Sequence, residues 1–129
     1  MTLLKPDTRI LIVEDEIWAQ QFFLRTLQEW EYSQIMIEGN GLSGVEKARE
    51  YVPHLIFMDT YLPGIMGYEA CQRIRAESWG KQMGIIAMSN AWSSQWDHAS
   101  SDGFIHKDLF YRADPELDAK IQEVLKKYF

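Results

Sequence analysis

The stretch FMDTYLPGIMGYE, residues 57–69, decides how the rest of the chain is read. Upstream, His54 leads into Leu55-Ile56-Phe57-Met58, four apolar residues with the profile of a buried strand. Asp59 follows at once, and after it a turn on Pro63-Gly64 with a second glycine, Gly67. A carboxylate at the end of a buried strand is unfavourable unless something pairs with it. Its partner must therefore come from elsewhere in the chain.

Working outward, strand-like and helix-like segments alternate. Arg9-Ile10-Leu11-Ile12-Val13 is a short β-branched run, followed by Phe23, Leu24, Leu27 and Trp30 at helical spacing. Gln34-Ile35-Met36-Ile37 predicts a second strand. Asn40-Gly41 turns the chain, and Ser43-Gly44-Val45-Glu46 predicts a capping box for the second helix. Pro53 ends that helix before the third strand, His54 to Met58. A third helix carries Tyr68, Cys71 and Ile74 on one side. Gly84–Met88 and Gly103–His106 predict strands four and five, and Asp114-Pro115 opens a last helix striped with Leu117, Ile121, Val124, Leu125 and Tyr128. Between strands four and five the segment AWSSQWDHASSD has no clear period, which predicts a short or irregular fourth helix. Met36, Met58, Met83 and Met88 read as core.

Such alternation implies an α/β fold, a five-stranded parallel sheet covered on both faces in the doubly wound order 2-1-3-4-5. The 129 residues suffice for one domain, predicted as 1–129 with no output domain. A formal net charge of −6 and a lone adjacent basic pair, Lys126-Lys127, argue against direct binding of nucleic acid. No apolar run reaches the ~20 residues of a membrane helix. The N-terminus lacks a signal-peptide layout, so a cytoplasmic location is expected. Cys71 is the one cysteine, which excludes an internal disulfide and reads as buried filler. His54, His98 and His106 show no metal-ligand spacing.

In this architecture the strands deliver their functional groups at their carboxyl ends. Strand one ends in Glu14-Asp15-Glu16, strand three in Asp59, strand four in Ser89-Asn90, and strand five in Lys107. Each has an ordinary explanation alone: helix-end charges, a cap, a solvated lysine, a turn former. Together they converge on neighbouring strands, and carboxylates gathered in one crevice need a cation. Oxygen ligands with open water positions suit Mg²⁺. Asp15 and Asp59 holding Mg²⁺, Lys107 adding positive charge and Ser89 a hydrogen bond describe a phosphoryl-transfer site with Asp59 as nucleophile.

ILIVEDE, FMDTYLPGIMGYE, IIAMS and GFIHK together resemble the response-regulator receiver domain of two-component signalling, a flavodoxin-like fold, over essentially the whole chain. The resemblance implies that Asp59 is the phosphoacceptor and that Glu14 and Asp15 are the acidic pair that binds Mg²⁺. The backbone carbonyl of Tyr61 is then the third protein ligand of the metal. Ser89 is the switch hydroxyl, Lys107 contacts the phosphoryl group, and Phe104 is the aromatic that changes rotamer with Ser89. The implied partners are a histidine kinase or histidine phosphotransfer protein as donor and an unidentified protein target in trans. No enzymatic activity is implied beyond self-phosphorylation and dephosphorylation of Asp59.

The chain departs from the family pattern in four places. Asp108 replaces the usual proline after the lysine, which predicts a trans peptide and a rival partner for Lys107. Asn90 stands where a small residue is usual and narrows access for a donor. Bulky Tyr61 shields an acyl phosphate from water. Residues 91–102 are shorter and more polar than the usual fourth helix, their tryptophans covering the sheet or forming a relocated partner surface. These departures motivate the alternative of a phosphorylation-independent interaction module. An aspartyl-phosphate hydrolase is disfavoured because Tyr61 stands where a second aspartate would act as acid and base. A flavin binder is disfavoured because Glu14-Asp15-Glu16 repels phosphate.

Overall fold

The β-branched run becomes β1 (Arg9–Val13), and the other apolar segments form β2 (Gln34–Glu38), β3 (Leu55–Asp59), β4 (Gly84–Ser89) and β5 (Gly103–His106). The helices are α1 (Ile17–Glu29), α2 (Gly41–Tyr51), α3 (Gly67–Ala76), α4 (Asp108–Tyr111) and α5 (Pro115–Tyr128). They are seen in a computed structural model that describes residues 3–91 and 100–129. All pairings are parallel, in the order β2-β1-β3-β4-β5, the doubly wound flavodoxin-like arrangement expected.

Strand periodicity divides the core in two. Ile10, Ile12, Leu55 and Phe57 face α1, α4 and α5, whereas Leu11, Val13, Ile56 and Met58 face α2 and α3. Both sets are fully buried because helices cover both faces of β1 and β3. The α5 stripe behaves as expected: Leu117, Ile121, Val124 and Leu125 are buried, and Asp114 caps the helix by accepting from the Glu116 amide at 2.9 Å. Cys71 is buried on α3, and burial pushes its thiol up to about 12.

Two expectations are corrected. The cap of α2 is Asn40, not Ser43: its carboxamide oxygen accepts from Ser43 N at 2.8 Å, and the helix begins at Gly41. Glu46, freed from a capping box, pairs with Arg49 one turn on. Met36 is 38% exposed, because β2 is an edge strand whose residues are only half covered. Met83 is buried as expected but precedes β4. The short fourth helix expected between β4 and β5, with Trp92, Trp96 and His98, falls largely on residues 92–99, outside the described ones. A four-residue helix that was not anticipated, α4, follows β5.

The loop after β3 is shaped for close approach. Gly64 has φ +87°, a left-handed conformation that disfavours other residues. At Gly41 a Cβ would lie 2.5 Å from the Ile65 carbonyl, so α2 can reach the loop only as glycine. Thr60 ties the loop to β4, its amide and hydroxyl both donating to the Met88 carbonyl, at 3.0 and 2.9 Å. Among the described residues no helix is long and apolar enough to cross a membrane.

Candidate functional site

Asp59 is the last residue of β3, Glu14 follows β1, Ser89 ends β4 and Lys107 follows β5. Their strands are neighbours, so the parallel sheet brings all four to one edge. They meet there although 93 residues separate Glu14 from Lys107. Asp15, Glu16, Asp59, Tyr61, Ser89, Asn90, Ala91 and Lys107 line a cleft of about 340 Å³.

Lys107 anchors the wall of the cleft. Its ammonium donates to Glu14 Oε1 at 2.6 Å and lies 3.0 Å from Asp59 Oδ1. The sequence reading paired the lysine with Asp59; the shorter contact is to Glu14, which is completely buried. Burial alone would lower the Lys107 pKa, but the hydrogen bonds and charges of Glu14 and Asp59 outweigh it and raise it. For Asp59, burial and the Glu14 charge raise the carboxyl against the opposing pull of Lys107, to about 7. Burial first, and the neighbouring Glu14 charge second, thus disfavour the charged form of Asp59.

Carboxylate oxygens of Glu14, Asp15 and Asp59 lie within 4.8 Å of one another, and only Asp15 of the three is exposed. Three carboxylates face one ammonium, an imbalance that a divalent ion would cancel. All-oxygen donors open to water on one side fit a hard cation such as Mg²⁺. Glu14 is held for this by its surroundings: its Oε2 accepts from Glu16 N at 3.2 Å and its carbonyl from Gln20 Nε2 at 2.6 Å.

The remaining predicted residues fall around this centre. Ser89 is buried, its hydroxyl oxygen accepting from the Ala91 amide at 3.0 Å. Tyr61 is 65% exposed at the cleft. Phe104 pairs with Ala87 of β4, two residues before Ser89, and is partly buried. Asp108 does not compete for Lys107: it forms an ion pair with Arg112 at 3.1 Å, because α4 turns it away toward the next turn. The described residues contain no cis peptide bond, so the Lys107–Asp108 bond is trans, as expected.

Sequence reasoning missed the aromatic group beside the site. Trp18 donates its indole N–H to the Glu16 carboxylate and stacks on Tyr111, with ring centroids 5.5 Å apart. A helix of four residues leaves no periodic signal, so Tyr111 could be found only in three dimensions.

Known proteins share both the sequence pattern and the fold. The response regulator ArlR of Staphylococcus haemolyticus is 35% identical over 125 residues, covering 93% of this chain and 53% of that protein. ArlR of Staphylococcus saprophyticus is 34% identical over 122 residues, with the same coverage. The chain therefore spans about half the length of the curated relatives it matches. Among solved structures, the receiver domain of the sensor histidine kinase PA1611 from Pseudomonas aeruginosa, with a magnesium ion coordinated in its active-site cleft, is 27% identical with a TM-score of 0.73, covering 94% of this chain and 96% of that one. The response regulator domain of Thermotoga maritima CheB superposes with a TM-score of 0.79 at 23% identity, covering 92% of this chain and 96% of that one. The sequence profile of the response regulator receiver domain matches residues 10–113, and this chain belongs to that family.

Proposed function

We propose that the chain is a phosphorylation-controlled signalling switch that accepts a phosphoryl group on Asp59 and acts on a protein target in trans. One observation carries the reading: Asp59 is buried at the end of β3, with Lys107 Nζ 3.0 Å away and the Glu14 and Asp15 carboxylates beside it. The donor is a phosphohistidine of a histidine kinase or phosphotransfer protein. An Asp59 carboxylate oxygen attacks phosphorus; the new O–P bond forms as the P–N bond breaks, and the imidazole takes the electron pair and a proton. Lys107 offers its ammonium to a phosphoryl oxygen, a charge-assisted bond that grows stronger in the buried site. Ser89 exchanges its contact with Ala91 for one to the phosphoryl group, and Phe104 on β5 follows the space that the hydroxyl leaves.

Glu14, Asp15, Asp59 and the Tyr61 carbonyl would hold Mg²⁺, the ion in the receiver domain of PA1611. When bound, the ion neutralises both the carboxylates and the incoming phosphoryl oxygens. No second acid/base carboxylate stands at Tyr61, which supports a switch over a hydrolase.

The test is intact-mass measurement after incubation with acetyl phosphate and Mg²⁺. A single phosphoryl adduct, lost in Asp59→Asn and without metal, supports the switch. A folded protein that binds Mg²⁺ yet gains no mass would instead favour an interaction module that works without phosphorylation.

A further inference from the structure

Lysine is a long flexible side chain, so a fixed ammonium needs a fixed backbone. Lys107 has φ −59° and ψ −19° at the start of α4, and its carbonyl accepts from Phe110 N at 2.9 Å and Tyr111 N at 3.3 Å. Four residues do not make a helix that is stable alone, so packing must hold α4 in place. Phe110 is fully buried, its ring 4.3 Å from Phe23 and 5.0 Å from Phe57. Tyr111 reaches further along α1, stacking on Trp18 at 5.5 Å and meeting Phe22 edge-on at 5.5 Å.

These contacts close a circuit around the site. The Tyr111 ring touches Trp18, whose indole N–H is bonded to Glu16. Glu16 N donates to Glu14 Oε2, Glu14 Oε1 receives Lys107 Nζ at 2.6 Å, and the Lys107 carbonyl returns to Tyr111 N. Acidic loop and lysine are thereby fixed relative to each other from both sides.

We propose that Tyr111 is a positioning residue for the phosphoacceptor site, an aromatic clasp that holds Lys107 and the Glu14–Glu16 loop in register through its stack on Trp18. The inference rests on the switch reading above. The Tyr111 hydroxyl is buried and has no hydrogen-bond partner among the described residues, so the ring is the working part of the clasp.

The experiment compares wild type, Tyr111→Ala, Tyr111→Phe and Trp18→Ala, with Lys81→Ala as a surface control. Phosphorylation by acetyl phosphate is timed by intact mass at saturating Mg²⁺, and backbone amide shifts of Glu16 and Lys107 are followed by NMR. Loss of the clasp slows phosphorylation about tenfold in both alanine variants, as small misplacements of reacting groups do. Tyr111→Phe restores the wild-type rate, and the two amides shift together only in the alanine variants. The proposal is overturned if folded Tyr111→Ala reacts at the wild-type rate, or if Tyr111→Phe is as slow as Tyr111→Ala. Should Tyr111→Ala fail to fold, Trp18→Ala decides, since Trp18 is 56% exposed and outside the core. A wild type that accepts no phosphoryl group sinks the switch reading. The amide shifts then judge the clasp alone, and unmoved Glu16 and Lys107 signals in Trp18→Ala would overturn it.

Discussion

Arg75 near the end of α3 and Asp102 just before β5 form a 2.9 Å ion pair at the end of the sheet opposite the acidic cleft. The Asp102 side chain is only 3% exposed, and it also accepts from Ile85 N at 2.8 Å, Lys127 Nζ at 2.7 Å and the Tyr128 hydroxyl at 2.7 Å. Arg75 in turn donates to the carbonyls of Gly80, Met83 and Ser100. One carboxylate thus joins α3, β4, β5 and α5.

Burial would raise the Asp102 carboxyl, but Lys127, Tyr128, the Ile85 amide and Arg75 outweigh it and hold it below its ordinary value. Its stabilisation is present above the unfolded-state pKa near 4 and is lost as pH falls through the lower folded value. Asp102→Ala should cost about 3 kcal/mol at pH 7 and less in acid. Urea unfolding at several pH values checks this; a penalty constant down to pH 2 would contradict it.

The cleft gathers carboxylates at a cost in stability. Asp59→Asn removes one of three clustered carboxylates and should be more stable than wild type in EDTA, by about 2 kcal/mol, and so melt higher. Mg²⁺ should then raise the melting temperature of wild type more than that of the variant, because the ion binds only the folded site. Thermal melts with and without Mg²⁺ measure both differences.

Lys107→Met leaves Glu14 fully buried without its ammonium. The loss should reach about 3 kcal/mol in metal-free buffer and shrink as Mg²⁺ is added. Phosphorylation should nearly cease even at saturating Mg²⁺, since the charge-assisted contact to the phosphoryl group is gone. Denaturant curves and intact mass separate the two effects.

Tyr61 stands at the mouth of the cleft, largely exposed beside Asp59. If its ring shields the acyl phosphate from water, Tyr61→Asn shortens the phosphorylated lifetime several-fold without slowing phosphorylation. Timed mass spectra after donor removal read the lifetime directly, and equal decay would dismiss the shield.

Tyr111→Phe should stabilise the chain by about 1 kcal/mol, because it removes a buried hydroxyl that has no partner among the described residues. Chemical denaturation gives the sign at once. A loss of stability would mean that the hydroxyl is hydrogen-bonded in solution, for instance through a buried water.

Strand and helix periods in the chain already carry the sheet. The continuous apolar runs within Arg9–Val13 and Leu55–Asp59 mark strands covered on both faces, and Asp114-Pro115 and the glycines mark where elements begin and turn. The strand-end position of Asp59 and its need of a partner were legible for the same reason: burial of a charge is a local anomaly visible in one dimension. Asn40 was misread because Ser43 and Asn40 both suit a cap, and only backbone geometry chooses between them.

Tertiary structure alone decided which cation neutralises which carboxylate. Lys107 is nearer to Glu14 than to Asp59, a distinction of 2.6 against 3.0 Å set by strand register and by the docking of α4. The same holds for Asp102, whose donors come from α3, β4 and α5, and for the Trp18–Tyr111 stack between residues far apart in the chain. Local pattern follows from backbone sterics and the exclusion of apolar groups from water, which act over a few residues. Pairing of polar groups across the fold depends on differences in distance of an ångström or less, and those are set only once the chain has packed.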